Sequence, residues 1–216
     1  MLPASDPPPL DELVARARAL ASSGPRRLLG ITGAPGAGKS TLAGQIVGAL
    51  GELAELVPMD GFHLAENELH RLGRHARKGA VDTFDGAGFV ALLRRLRAAG
   101  PRTVYAPEFR RELEEPVAGA IPVPPSVPLV VVEGNYLLLA AEPWGEVREL
   151  LDEVWYLDLD ETERLRRLTD RHVAFGREPV EAAARARGTD QRNAELIAGT
   201  ADRADLVVRM APSIAS

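Results

Sequence analysis

Short apolar runs alternate along this chain with segments whose apolar residues recur at helical spacing. The runs predict buried strands over residues 27–32, 56–59, 129–132, 154–157 and 206–209, with a further strand at 102–105. The helical spacing predicts helices over residues 10–21, 39–50, 64–72, 144–151, 161–175 and 178–197, and Asp85 is a good N-cap for another that ends at Arg97. Strands that alternate with helices are typical of a parallel sheet covered on both faces.

Prolines interrupt this alternation between residues 106 and 128. They stand at Pro107, Pro116, Pro122, Pro124, Pro125 and Pro128. We interpret this segment as a long proline-rich excursion, because a simple connector in a compact domain is usually shorter.

Length and composition favour one globular domain over residues 1–216. The chain has 216 residues, of which 45% are apolar and 26% charged, so it can bury a proper core. The net charge of −5 argues against a broad nucleic-acid surface, which usually needs a basic face. The absence of cysteine excludes disulfides and thiolate chemistry and fits a reducing cytoplasm.

Neither a membrane span nor a secretory signal is expected. No stretch of about 18 apolar residues occurs, and the N-terminus lacks a basic start followed by an apolar run. The sequence leaves open whether the chain forms a homodimer.

A glycine-rich phosphate-binding motif follows the first predicted strand and opens the second predicted helix. It consists of Gly33, Ala34, Pro35, Gly36, Ala37, Gly38, Lys39, Ser40 and Thr41. Glycines let successive backbone N–H groups turn inward around a phosphate, and the helix N-terminus favours the same anion. Lys39 can reach the β- and γ-phosphates and Ser40 can ligate Mg²⁺, so the motif predicts a site for a nucleoside triphosphate.

Two acids follow predicted strands directly. Asp60 comes after the second apolar run and Glu133 after the strand at 129–132. Ligands of open α/β sheets bind at the carboxyl ends of strands, so both acids should face the γ-phosphate region. One could hold Mg²⁺ and the other could accept the proton of an attacking hydroxyl, although each could instead cap the next helix or turn.

Further motifs carry a family resemblance from residue 27 to about residue 208. In chain order they are the phosphate loop, MDGFHL at 59–64, VDTFD at 81–85, YAPEF at 105–109 and VVEGNY at 131–136. The chain resembles the superfamily of phosphoribulokinase, uridine kinase and bacterial pantothenate kinase. Within it, the chain is most similar to the bacterial nucleoside or nucleotide kinase-like branch, also called fructose-transport-system kinase-like.

The resemblance implies a P-loop NTPase fold, a three-layer α/β/α sandwich with a central parallel sheet and a helical lid. It implies an ATP- and Mg²⁺-dependent kinase that phosphorylates a hydroxyl of a small molecule, such as a nucleoside, a sugar or a pantothenate-like alcohol. Asp60 would orient or deprotonate that hydroxyl, and Glu133 would lie near Mg²⁺. The lid, at residues 161–177, would carry Arg167, Arg171 and Arg177, with Arg167 on the nucleotide and Arg171 in catalysis.

The acceptor pocket is expected to include His63, Lys78, Tyr105, Arg111 and Tyr136. For His63 and Tyr136 a structural role is an open alternative, and the basic loop around Lys78 could attract an anionic acceptor or simply be solvated. Asp190 and Asn193 also match positions of the kinase-like branch.

Two positions depart from the family pattern. Arg110 and Arg111 stand where relatives often have Asp-Arg, and Gly79 stands where uridine kinases carry an aspartate. Both departures weaken the case for uridine as the acceptor.

A nucleotide-driven switch or chaperone ATPase is the alternative function. The sequence has no Asn-Lys-x-Asp motif for guanine, which counts against a GTPase switch. The four histidines form no pair at metal-ligand spacing with a second ligand in place, so we expect no zinc site.

Overall fold

A computed structural model describes residues 7–176 and 178–211 of the chain. Its helices are α1 (Leu10–Ala21), α2 (Lys39–Leu50), α3 (Glu66–Arg71), α4 (Gly86–Arg97), α5 (Val147–Leu150), α6 (Glu161–Ala174), α7 (Pro179–Arg187) and α8 (Thr189–Ala198). None of the helices in this part of the chain combines the length and the apolar character needed to cross a membrane. The strands are β1 (Arg27–Gly33), β2 (Ala54–Pro58), β3 (Val104–Arg110), β4 (Glu115–Val123), β5 (Leu129–Glu133), β6 (Glu153–Asp158) and β7 (Leu206–Arg209).

Five strands form a parallel sheet in the order β2-β5-β1-β6-β7. Strand β1 lies at the centre and pairs in parallel with β5 on one side and with β6 on the other. The register sets Ile31 of β1 and Pro58 of β2 opposite Glu133, the last residue of β5. The carboxyl ends of the central strands therefore meet at one edge, where ligands of such sheets bind.

Apolar side chains cover both faces of this sheet. On one face, Leu13 of α1 and Ile46 of α2 pack with sheet residues in one buried cluster. On the other face, Phe89 of α4 and Ile197 of α8 belong to a second cluster with Trp144. This arrangement confirms the predicted three-layer α/β/α sandwich.

The proline-rich segment is more than a connector, as expected, but its strands were not: the strand expected at 102–105 extends to Arg110, and a second strand follows. Strands β3 and β4 form an antiparallel hairpin, with Tyr105 opposite Pro122 and a register shift beside Pro107. Prolines are tolerated because each strand of a two-stranded ribbon has an outer edge that needs no donor. A Cβ at Gly61 would overlap the carbonyl oxygen of Pro107, so the hairpin packs directly on the turn after β2.

Helix boundaries follow the local signals at most places. Helices α1, α2 and α4 begin and end as expected, and the Asp85 side chain accepts a hydrogen bond of 2.8 Å from the Gly88 N–H as an N-cap. The single helix expected at 178–197 is instead two helices, because the backbone at Gly188 leaves the helical region. The helix expected at 144–151 is a 3₁₀ turn followed by the short α5.

Candidate active site

The phosphate-binding motif forms the connection between β1 and α2. Gly36 and Gly38 have φ angles of 88° and 98°, which only glycine adopts without strain. The loop residues Ala34 and Ala37 are buried, whereas Thr41 is exposed on the first turn of α2. The loop backbone thus has the curvature that an anion-binding concavity requires at a helix N-terminus.

Lys39 lies under this loop with its side chain buried. Its ammonium donates hydrogen bonds to the carbonyl oxygens of Gly33 at 2.9 Å and Ala34 at 3.1 Å. Burial lowers the pKa of Lys39 to about 8, while the charges of Glu133 and Asp60 oppose that shift. The lysine is therefore a desolvated cation, whose attraction to phosphate is stronger than it would be in water.

Glu133, Ser40 and Asp60 bring oxygen atoms together at the same edge of the sheet. The Ser40 hydroxyl donates to Glu133 Oε1 at 3.2 Å. Burial, and then repulsion from Asp60, raise the pKa of Glu133 to about 7. Mg²⁺ prefers such oxygen ligands, and a divalent cation would offset the crowding of negative charge, so these residues fit the ion.

A cavity of about 350 Å³ opens beside these groups. It brings together six of the predicted site residues, namely Pro35, Asp60, His63, Lys78, Arg111 and Arg171. The cavity extends from the phosphate loop to the β3–β4 hairpin and the end of α6, so it can hold a second substrate next to a bound triphosphate.

His63 and Lys78 are held in the cavity wall by specific contacts. His63 Nδ1 lies 2.9 Å from Asp60 O, and its ring packs between Phe84 and Phe109. Burial lowers the pKa of His63, which favours its neutral form. Lys78 bonds the Glu66 carboxylate, and its ammonium lies 4.9 Å from the centre of the Phe109 ring. Lys78 is therefore an ordered part of the wall and not a solvated side chain.

Outside the phosphate loop and its metal-binding acid, the predicted site residues Tyr105, Tyr136 and Arg167 also lie outside the cavity lining. Tyr105 is 56% exposed on β3. Tyr136 is fully buried behind the wall, where its hydroxyl donates to Gly79 O at 2.6 Å. Arg167 donates to Glu163 and Ala211 O, and one of its nitrogens lies 3.9 Å from where a Cβ at Gly38 would be. Arg167 thus borders the phosphate loop, and Arg177 lies outside the described residues.

The structure adds cavity residues that the sequence did not single out. Arg185 of α7 and His172 of α6 line the cavity, and His172 Nε2 lies 2.8 Å from Asp190 Oδ2. The Asn193 amide donates to Gly79 O at 3.0 Å. The match of Asp190 and Asn193 to the kinase-like branch is the one sequence signal for this part of the wall.

Arg164 of α6 is also buried, although arginines on helices usually lie on solvated faces. Its guanidinium donates to Pro35 O at 3.4 Å and also bonds Gln191 of α8. A Cβ at Gly36 would lie 3.0 Å from Arg164 O. Helix α6 therefore packs directly on the phosphate loop.

One group of possible metal ligands lies away from the phosphate loop. Glu66 and His70 both lie on α3, four residues apart. The possible ligand atoms of Glu66, His70 and His75 lie within 4.8 Å of one another. The expectation from the histidine spacing missed this grouping because His75 comes from the following turn. Glu66 is already bonded to Lys78 and His75.

Known proteins resemble the chain in sequence over most of its length. C227.14 of Schizosaccharomyces pombe, named as a candidate uridine kinase, is 37% identical over 175 residues, which are 77% of this chain and 74% of that protein. YggC of Escherichia coli, which is uncharacterised, is 34% identical over 181 residues, 82% of this chain and 74% of its own. The chain belongs to the uridine kinase-like superfamily of P-loop kinases. No family model matches this P-loop kinase.

Solved structures agree with this family. A candidate fructose transport system kinase from Silicibacter sp. TM1040 superposes with a TM-score of 0.84 and 36% identity, over 93% of this P-loop kinase and 98% of that chain. YFH7 of Saccharomyces cerevisiae gives a TM-score of 0.82 over 94% of this kinase and 99% of its own chain, at 18% identity. The second likeness shows the fold alone.

Proposed function

We propose that this P-loop kinase transfers the γ-phosphate of ATP, together with Mg²⁺, to a hydroxyl group of a small molecule. The observation that carries the proposal is one constellation at the edge of the sheet. Lys39 and the Ser40–Glu133 pair lie at the phosphate loop, and Asp60 lines the adjoining cavity of about 350 Å³. A triphosphate site beside an acidic residue and an open cavity supports transfer to a second substrate.

The transfer forms a bond between the acceptor oxygen and the γ-phosphorus while the bond from that phosphorus to the bridging oxygen of ADP breaks. Asp60 orients the hydroxyl and takes its proton. Lys39 and Arg171 offset negative charge on the transferred group. Ser40 and Glu133 would hold Mg²⁺, which supplies further neutralisation of the phosphate oxygens when bound.

Closure over the cavity belongs to the same proposal. Residues 161–177 would act as the lid, with α6 carrying Arg167 and Arg171 toward the bound phosphates. A closed lid excludes water, which would otherwise take the phosphoryl group in place of the acceptor.

Acceptors of this proposed reaction include a nucleoside, a sugar or a pantothenate-like alcohol. The names of two relatives given above mention uridine and fructose transport, and these names apply to those proteins. At Gly79 this chain offers a backbone carbonyl already bonded to Tyr136 and Asn193, and not a carboxylate for a ribose.

An ATP-consumption screen tests the proposal. Purified protein is incubated with ATP, Mg²⁺ and one compound at a time from the three acceptor classes, and ADP and the phosphorylated product are quantified. We expect ADP formation that depends on one acceptor and is lost in Lys39→Ala, which should also bind ATP more weakly. ADP formed at the same rate without any acceptor would instead favour the switch or chaperone ATPase, and full activity of folded Lys39→Ala would remove the loop from catalysis.

A further inference from the structure

Cationic side chains outnumber the available anionic ones in the cavity wall. Of the described residues, four cations line it, namely Lys78, Arg111, Arg171 and Arg185, against three carboxylates, namely Asp60, Glu114 and Asp190. Glu114 is bonded to Lys78, and Asp190 is bonded to His172. Two of the three carboxylates therefore already have partners of their own.

Three guanidinium groups of the cavity wall have no ion-pair partner among the residues that the structure describes. Within residues 7–176 and 178–211, no carboxylate lies within ion-pair distance of Arg111, Arg171 or Arg185. This contrasts with Arg110, the neighbour of Arg111, which pairs with Glu108 and with Glu112. Guanidinium groups that converge on one cavity from different elements without carboxylate partners indicate a site for an anion.

Arg111 and Arg171 come from different elements and repel each other across the cavity. Arg111 begins the turn between β3 and β4, and its guanidinium lies 5.2 Å from the centre of the Phe175 ring, just beyond α6. Desolvation, and then the charge of Arg111, lower the pKa of Arg171. An oxyanion between the hairpin and the end of α6 would relieve this repulsion and join the two elements.

The cations divide between the two ends of the cavity. Arg171 is close enough to affect the pKa of Lys39, so it belongs to the end where the phosphoryl group is transferred. Arg111 faces the cavity between the two ends, because its charge affects both Arg171 and Glu133. Lys78 packs on the Phe109 ring, and Arg185 donates to Lys78 O at 3.2 Å. Lys78 and Arg185 therefore lie toward the acceptor end with the apolar rings of Phe84 and Phe109, and Arg111 lines the same cavity from the turn after β3.

Building on the proposed kinase activity, we propose that the acceptor is an anionic hydroxy compound whose carboxylate or phosphate is bound by Arg111, with Arg185 and Lys78 providing the surrounding positive charge. The carbon skeleton of the acceptor packs on Phe84 and Phe109, and its hydroxyl lies at Asp60. A neutral acceptor would leave Arg111 enclosed without a counterion when the cavity closes, which costs free energy.

Matched pairs of compounds test the inference. Each pair differs in the anion alone: a hydroxy acid and its amide, a sugar phosphate and the free sugar, a nucleotide and its nucleoside. Phosphorylation is followed by ADP release, and binding is followed separately by the thermal shift of the protein with a non-hydrolysable ATP analogue. We expect one anionic member to bind and to be phosphorylated while its neutral partner does neither, and the hydroxy-acid and sugar-phosphate arms separate carboxylate from phosphate.

The variant Arg111→Gln, with Arg110→Gln as its control, tests whether Arg111 binds the anion. Arg111→Gln should raise the KM for the anionic acceptor about 10- to 100-fold, the loss expected for charge-assisted hydrogen bonds, with the KM for ATP changed little. Arg110→Gln should leave both constants unchanged, because Arg110 does not line the cavity.

The outcomes separate this inference from the kinase proposal. A neutral compound phosphorylated as well as its anionic partner, or an Arg111→Gln variant with an unchanged acceptor KM, overturns the inference and leaves the kinase standing. Arg111-dependent binding of an anionic compound without phosphorylation of any compound supports the anion site and overturns the kinase proposal. If no anionic compound of the panel binds or is phosphorylated, the inference is wrong.

Discussion

Two carboxylates and one ammonium share one end of the central sheet, and the charge of Asp60 acts on both Glu133 and Lys39. Glu133 is 7% exposed and Lys39 is 9% exposed, so water screens their charges weakly. Asp60 raises the pKa of Glu133 and that of Lys39, whereas Lys39 lowers that of Glu133. Glu133 is buried, whereas Asp60 lines the open cavity, so the two acids should respond differently to substitution.

Asp60→Asn and Glu133→Gln test that difference. If Asp60 serves the acceptor hydroxyl, Asp60→Asn should keep the affinity for ATP and Mg²⁺ but slow transfer about 10²- to 10⁴-fold. The lower part of that range is expected if the transition state is loose, because deprotonation then comes late. If Glu133 serves the metal, Glu133→Gln should need more Mg²⁺, and excess Mg²⁺ should restore part of its rate.

A Mg²⁺ titration of both variants beside the parent protein measures these effects, with ATP affinity followed separately. Rescue of Asp60→Asn alone would show that the two roles are reversed. Full activity of both variants would remove the acids from the mechanism and leave only the nucleotide site.

At the scale of elements, α6 is both an anchor and the proposed lid. Its first half is fixed to the phosphate loop through Arg164, and Leu168 is fully buried. Its second half carries Arg171 and ends in the turn at Gly176, which has a φ of 88°. A helix fixed at one end and bordered by a glycine at the other can change its free end without losing the loop contact.

Arg164→Ala tests the anchored half. We expect the variant to lose about 1–3 kcal/mol of stability and to bind ATP more weakly, because Pro35 O and Gln191 lose a buried charged donor. Arg166→Ala is the matched control, since exposed Arg166 contacts Glu163 and Asp170 on the same helix. Urea unfolding and ATP titration measure both effects, and equal behaviour of the two variants would contradict the anchoring role.

Hydrogen exchange tests the lid. Amides of residues 161–177 should exchange more slowly when a non-hydrolysable ATP analogue and the acceptor are both bound, with the larger change in the half that carries Arg171. Helix α1 provides an internal control, because it lies on the opposite side of the sheet from the second apolar cluster and away from the cavity. Identical exchange of the α6 amides in the free and doubly liganded protein would count against a lid here.

At the scale of the whole molecule, one sheet joins two apolar layers, and each layer contains one tryptophan. Trp144 belongs to the cluster with α4, and Trp155 belongs to the cluster with α1 and α2. The strands themselves contribute side chains to both clusters, for example Leu28 to one and Leu29 to the other. Loss of the sheet would therefore expose both layers together.

Single-tryptophan variants test whether residues 1–216 unfold as one domain. The chain contains 2 tryptophans, so Trp144→Phe leaves a reporter in one layer and Trp155→Phe leaves a reporter in the other. In each variant the fluorescence midpoint in urea should coincide with the midpoint from far-ultraviolet circular dichroism. Separate midpoints within one variant would show that the two layers unfold independently and that the single-domain prediction is wrong.

Local signals in the sequence determined the sandwich, the phosphate loop and the strand-end acids. The loop residues are contiguous in the sequence, and the continuous apolar run of β5 predicts its burial. Neither prediction therefore requires knowledge of contacts between distant residues. The N-cap of α4 at Asp85 is equally local. Predictions of this kind held because the interacting groups are neighbours in the chain.

Tertiary packing decided which of the candidate side chains line the cavity and which do not. Arg164 and Arg166 are two residues apart on one helix, yet one is buried against the phosphate loop and the other is exposed, because only the docking of α6 fixes which face is covered. Tyr105 turns outward because pairing of β3 with β4 sets the alternation of its strand. Arg111 and Arg171 line the same cavity although they are far apart in the chain, and no local pattern encodes which distant side chains share a cavity.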